Sequence, residues 1–464
     1  MDKNMIFGKF LKECIDKRNF SVSKLAKDSG INRGKLYLVF DGKRKLTEEE
    51  LFTVIEHVGI TGSDAKKLID LFFCKKFGNT EFMRIKYLEN TLCHDICTIA
   101  PVDLPETDYV SGALDNRESL INAITYIFKN DNDIITDFSF LDKRIDETVY
   151  SCITGKYQNK LAVHIMLLSN EDFQTNNLET VFRSFKYLYN NIFPVYRYVD
   201  IEKLKYMNRF PYRFVGRKYA ILYNDENGIF IDNPDAVRVL YGEAKKDANS
   251  CTKFGDRNDD VMFTKSIYTK MAKTTNHLTC EISYFPCLGG FADYDFMYNI
   301  AKKELPDRET LAKIAYKYYS DIFSSSRFFI ITSCAGIKRF AETGHVQEIP
   351  PLLVNTAEKP DRIRLLKELI VAAKNDRLYL ANDELFALSP GFSISIQSNG
   401  LVFCGNDYKN DRFFEAEKFI ACIDNQNMVK SLHSLCEYLI GAEKVHSKEF
   451  AVRFIEELLI KLEL

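Results

Sequence analysis

Tryptophan is absent from this chain, and histidine and proline are scarce, with 7 and 11 residues in 464. No histidine enters a His-Glu-x-x-His pattern, the two imidazoles one helical turn apart with a carboxylate base that a zinc protease needs. A Gly-rich phosphate loop is missing too, because Gly289-Gly290 lies between aromatic residues without the Lys and Ser or Thr such a loop uses. No apolar run approaches the length that spans a bilayer, and the N-terminus shows no secretory core or cleavage site, so a cytoplasmic location is expected. The twelve cysteines follow no repeating frame. Several sit in apolar runs, such as Leu71-Phe72-Phe73-Cys74, as reduced core cysteines do, and disulfides are not expected. Cys93, His94 and Cys97, then His277 with Cys280 and Cys287, then His433 with Cys436 all fall short of the four converging groups of a tetrahedral site. No metal or other cofactor is therefore expected.

What is present is an ordinary globular composition, 46% hydrophobic and 28% charged, in a chain too long for one core. A small head followed by one large or two medium domains is expected. Charge is polarised: residues 1 to 45 hold twelve Lys or Arg against five Asp or Glu, while the whole chain carries −2. A basic head on a mildly acidic body suits nucleic-acid contact at the N-terminus, although a basic face alone more often serves contact with another protein, and it is the capped two-helix motif that reverses that preference.

The stretch from Ser21 to Arg44 reads as two short helices joined by a tight turn and followed by a basic loop. Ser21 is an N-cap, Leu25 and Ala26 face inward, Gly30 ends the first helix in a left-handed conformation, and Asn32 caps the second. On the second helix Leu36, Val39 and Phe40 recur at core spacing, which turns Arg33, Gly34, Lys35, Tyr37 and Leu38 outward. Around these, Phe7–Arg18, a Thr47-capped Glu48–Val58 and a helix opened by Ser63 or Asp64 complete five helices. Residues 5 to 74 resemble the XRE, or lambda repressor and Cro-like, helix-turn-helix family in Leu25-Ala26, Gly30, Asn32 and Gly42-Lys43-Arg44. Val22 stands where that family usually has a phosphate-gripping Gln, and Phe40 where it usually has Glu. The resemblance implies double-stranded DNA as partner and a homodimer on a two-fold site. Arg33 would meet a guanine edge, Gly34 would allow close approach, Leu38 would touch a thymine methyl, and Lys35, Tyr37, Lys43 and Arg44 would hold the backbone.

Beyond the head, residues 76–112 read as a helix, Glu81–Leu92, and a linker around Pro101-Val102-Asp103-Leu104-Pro105. An α/β module follows over 113–255, a middle α/β segment over 256–355, and a C-terminal α/β module over 356–464. The order helix, strand, hairpin, helix occurs at about 116–251 and again at 361–440, which a duplication and chance recurrence explain equally well. The final helix, Ser447–Leu464, offers an apolar face for a domain or dimer contact. Aromatic clusters at Phe193–Tyr198, Phe210–Phe214 and Tyr316–Tyr319 are candidate walls of a ligand pocket for a small-molecule or peptide effector, or simply core. The first module resembles phospholipase D-like sensor domains of some regulators. Their catalytic His-x-Lys pair is missing, since Ile165 and Met166 follow His164, which implies a domain without that activity. Cys334-Ala335-Gly336 imitates the bond cut by self-cleaving repressors, without a downstream Ser and Lys.

The expected fold is thus an all-α helix-turn-helix domain over 1–75 followed by a large α/β body, its two modules related on the duplication reading and unrelated on the chance reading. The expected function is a non-enzymatic, sequence-specific transcription regulator whose body senses a ligand and holds the dimer. A defence or toxin-related effector with an unrecognised enzymatic body is the alternative, and a head that serves only protein contact is a third reading.

Overall fold

The computed structural model describes residues 3–94, 102–106, 108, 110, 112–139, 142–155, 157, 161–169, 176–188, 192–257, 278–323, 328–346, 349, 353–398, 400–406 and 418–464. Among these residues the chain is mixed α/β, with seventeen α-helices, a helical N-terminal region and two mixed sheets. It divides into two compact units, residues 1–89 with 430–445 and residues 90–429 with 446–464.

The first unit is built on α1 (Lys3–Lys17), α2 (Val22–Ser29), α3 (Arg33–Phe40), α4 (Glu48–Val58), α5 (Gly62–Phe77) and α6 (Asn79–Leu92). Phe7, Leu11, Leu25, Leu36, Val39, Leu51, Val54 and Leu68 form its core. A methyl on Gly8 would stand 2.2 Å from the Val39 carbonyl, so α1 and α3 cross in close contact. The sequence division at residue 75 is corrected here. α6 belongs to this unit as far as Glu89, and so does Lys430–Val445 from far along the chain. Tyr438 is the reason: buried, it meets Phe73 and Phe82 edge-on at 5.2 and 5.9 Å, while Lys444 pairs with Glu89 at 3.2 Å.

The second unit carries, in chain order, β1 (Ala113–Leu114), α7 (Arg117–Asn130), β2 (Asp133–Thr136), α8 (Lys143–Thr154), β3 (Leu161–Ser169), α9 (Asn176–Leu188), β4 (Ile192–Val199), α10 (Ile201–Met207), β5 (Tyr212–Val215), β6 (Ala220–Tyr223), β7 (Gly228–Ile231) and α11 (Pro234–Ser250). Then come β8 (Thr252–Lys253), β9 (Gly255–Arg257), β10 (Leu278–Ser283), α12 (Tyr294–Ile300), α13 (Arg308–Ile322), β11 (Phe329–Ser333), α14 (Cys334–Thr343), α15 (Lys359–Lys374), β12 (Leu378–Ala381), β13 (Phe392–Gln397), β14 (Leu401–Asn406) and β15 (Lys418–Ile423). α16 (Gln426–Gly441) and α17 (Lys448–Glu463) close the chain.

The first sheet runs β1-β7-β6-β5-β2-β3-β4-β8 and the second β12-β11-β10-β13-β14-β15-β9. Without their edge strands, these are one arrangement twice. β2, β3 and β4 pair in parallel, and β5, β6 and β7 extend from β2 as an antiparallel meander. β10, β11 and β12 are likewise parallel, with β13, β14 and β15 extending from β10. The second copy begins at β10 and not at residue 361, as the sequence order suggested. Its first two strands fall in the segment read as a separate middle region. Of the two contacts expected for the apolar face of α17, the one within the chain is seen: Ala451, Ile455 and Leu458 join the core of the second repeat.

Residues 252–257 tie the two sheets together. β8 pairs with β4, β9 pairs with β15, and between them the Phe254 N–H donates to the Pro194 carbonyl at 3.2 Å while its own carbonyl accepts from Cys422 N–H at 2.8 Å. The Phe254 ring is buried and stacks on Phe185 at 5.6 Å. Phe254→Ala should cost about 3–5 kcal/mol of unfolding free energy through the cavity it leaves, measured by denaturant titration of the full chain. A loss under about 1 kcal/mol would contradict the strap's role.

His164 lies at the centre of the first sheet. It is fully buried, its Nδ1 is 2.8 Å from Thr136 Oγ1, and burial lowers its pKa to about 3. The folded state therefore holds a neutral imidazole, while the unfolded chain binds a proton below about pH 6.5. Stability is fully present above that pH and is lost as pH falls toward 3. Between pH 7 and 5 the wild type should lose about 2 kcal/mol through this group. His164→Asn should flatten that loss in denaturant titrations at the two pH values.

Candidate nucleic-acid interface

Helices α2 and α3 owe their ends to local hydrogen bonds. Ser21 Oγ accepts from Lys24 N–H at 3.1 Å, and Gly30 takes φ +71°, a left-handed stop open to glycine. Asn32 Oδ1 then accepts from Gly34 and Lys35 N–H at 2.8 and 3.3 Å. These caps fix where α3 starts, and the burial of Leu36, Val39 and Phe40 fixes its rotation. Phe40, at the position where the resembled family usually has Glu, is part of that core.

The outward residues fall where the spacing places them, with one exception. Arg33, Gly34, Tyr37, Leu38, Lys43 and Arg44 are exposed. Arg33 lies over the Tyr37 ring at 5.7 Å, and Tyr37 meets Phe40 edge-on at 6.0 Å. Lys43 pairs loosely with Asp41, at 3.7 Å. Lys35 is the correction. It is half-buried, and its Nζ donates to both carboxylate oxygens of Glu50, at 2.6 Å to Oε2. Glu50 Oε2 also accepts from Thr47 N–H at 2.7 Å, and Thr47 Oγ1 accepts from Glu50 N–H, a reciprocal cap on α4. Burial pushes the Glu50 carboxyl up, but the bonds from Lys35 and Thr47 outweigh it and hold the group below its ordinary value. Lys35 thus ties α3 to α4. Thr47-Glu48-Glu49-Glu50 is a legible capping-box pattern, so Glu50 could have been picked out from sequence; its partner across the turn could not.

In the second unit the aromatic clusters mostly resolve into strands and core. Phe193 and Tyr198 lie on β4, and Tyr198 Oη donates to the Asp424 carbonyl at 2.8 Å. Phe214 is core on β5, Tyr318 and Tyr319 are core on α13, and Tyr212 lines a cavity. Cys334-Ala335-Gly336 is the capped first turn of α14, with Gly336 buried. A peptide bond held there in a helix is not offered for cleavage. Among the described residues no three His, Cys, Asp or Glu converge as metal ligands, and Cys97 and His277 lie outside those residues. No described helix is long and apolar enough to cross a membrane.

No family model matches the chain, and no curated protein matches it. Among solved structures, a crystal structure of phosphatidylserine synthase from Haemophilus influenzae Rd KW20 is 11% identical over 82% of this chain and 97% of that one, with a TM-score of 0.23. That is the name of a function other than a DNA-binding regulator, and the expected role of the whole chain as a sequence-specific transcription regulator with a sensing body is corrected on that finding. At this TM-score the likeness carries neither the synthase's fold nor its activity over to this chain.

Proposed function

We propose that the N-terminal helical unit is a helix-turn-helix module of the XRE kind that holds double-stranded DNA. One observation carries this: the capped helix α3 spends Leu36, Val39 and Phe40 on its core and leaves Arg33, Tyr37 and Leu38 exposed beside exposed Lys43 and Arg44. Leu38 and Tyr37, 37% and 44% exposed, are costly as a solvated face and useful against a groove. Arg33 meets base edges there, Gly34 lets the backbone come close, and Lys43, Arg44 and Tyr37 meet phosphates. A second copy of the chain would complete such contact on a two-fold site. No regulatory role for the whole chain follows from DNA contact by this unit.

Fluorescence anisotropy of the full chain on a labelled duplex, titrated at several salt concentrations, tests the proposal. Log affinity should fall linearly with log salt, and Lys43→Ala should weaken binding and lower the slope by about one. Absence of salt-dependent binding would overturn the assignment. Lys35→Met separates the two kinds of lysine. It should leave duplex affinity within about twofold of wild type while costing about 1 kcal/mol of stability, because its ammonium serves Glu50. An affinity loss equal to that of Lys43→Ala would show that Lys35 reaches DNA.

A further inference from the structure

The second unit holds a cavity of about 360 Å³ at the carboxyl ends of β2 and β3, beside the start of β5. β2 and β3 are parallel neighbours, and open α/β sheets bind ligands outside the carboxyl ends of such strands. The corresponding place in the second repeat is filled by the chain itself. The Tyr284 carbonyl, just past β10, accepts from Ser333 N–H at 3.3 Å, Ser333 Oγ at 2.8 Å and Thr332 Oγ1 at 3.1 Å. A methyl on Gly336 would stand 2.0 Å from that oxygen. The same topology thus carries a cavity at this end of the first repeat and close backbone packing among the described residues at that end of the second.

Apolar side chains, Phe138, Leu167, Ile201 and Leu204, line part of the cavity, and uncharged polar and charged side chains line the rest. Both cations already have partners: Arg117 pairs with Asp142 at 2.6 Å, and Lys205 with Asp225 at 3.1 Å. Glu202 also lines the cavity and has no ion pair among the described residues. Among the described lining residues one negative charge is therefore left over. Beside the same walls the Tyr223 hydroxyl is buried without a hydrogen-bond partner among the described residues, its ring 5.4 Å from that of Tyr212. Burial first, then Asp137, Tyr212 and Asp142, push this hydroxyl well above its ordinary value, so it stays neutral and adds no charge.

We infer that this cavity binds a small organic cation, a primary ammonium on a short apolar stem. The ammonium answers Glu202, and the stem lies against Phe138 and Leu167. An anionic ligand, by contrast, meets two cations that must first give up Asp142 or Asp225, and it adds to a surplus of negative charge. The volume is at the small end of ligand pockets, enough for a stem of a few carbons.

Isothermal titration of the full chain with n-pentylamine hydrochloride, set against sodium pentanoate, tests this directly. Saturable one-to-one binding of the amine is expected, with little or none of the carboxylate. Glu202→Gln, on an exposed site of α10, should weaken the amine by about tenfold or more. No saturable binding of the amine up to about 10 mM, a concentration above weak-fragment affinities, would overturn the inference. So would equal binding of pentanoate, or amine binding that Glu202→Gln leaves unchanged.

Discussion

The strap Thr252–Arg257 is the constraint on which the large unit depends. Six residues serve as the outer strand of one sheet and then of the other, and Phe254 spends its N–H on β4 and its carbonyl on β15. Each edge would otherwise present a row of unpaired backbone groups. Burial of the Phe254 ring against Phe185 carries the same union into the side chains. Phe185 and Phe182 of α9 in turn meet Phe403 on β14, at 4.9 and 5.7 Å, so a helix of the first repeat packs on a strand of the second. The sequence division at residue 255 ran through this strap.

A strand with a parallel neighbour on one edge and an antiparallel one on the other, as β2 and β10 are, imposes the rest of each repeat. Parallel neighbours need crossovers long enough to hold helices, whereas the antiparallel side needs only hairpins. The hairpins Val215–Ala220 and Ile396–Leu401 accordingly match in length, while the crossovers differ: α8 alone joins β2 to β3, but α12 and α13 lie between β10 and β11. Freedom in the crossovers is what lets one repeat keep a cavity where the described residues of the other pack closely.

Periodicity made many elements legible. The Asn116 cap, the hairpin around Asp225-Glu226-Asn227-Gly228, the strand Lys418–Ile423 and both helices of the Ser21–Arg44 stretch stand close to where patterning puts them. Helix α8 escaped because its buried side includes Asp146, Thr148 and Ser151, which read as a polar face. Strand β4 escaped because Pro194 and a crowd of aromatics hid its alternation, although Pro194 sits in register with His164. For the candidate interface, exposure of Arg33, Tyr37, Leu38, Lys43 and Arg44 was readable from one helix alone. Withdrawal of Lys35 was not, because Glu50 is fifteen residues away and belongs to another helix.

What the sequence by itself determined are the features set within one turn or one hairpin: caps, left-handed glycines, helix faces, the basic head. These depend on hydrogen bonds between residues three or four apart and on a side-chain period that any window displays. Only the tertiary structure decided which distant segments share a core and which charges cancel. Tyr438 completes a unit whose other helices lie more than three hundred residues earlier, Phe254 joins two sheets, and Arg117 and Lys205 find ion-pair partners while Glu202 has none among the described residues. Burial and electrostatics act through space between residues that no local pattern relates, so these outcomes exist only once the chain has closed on itself.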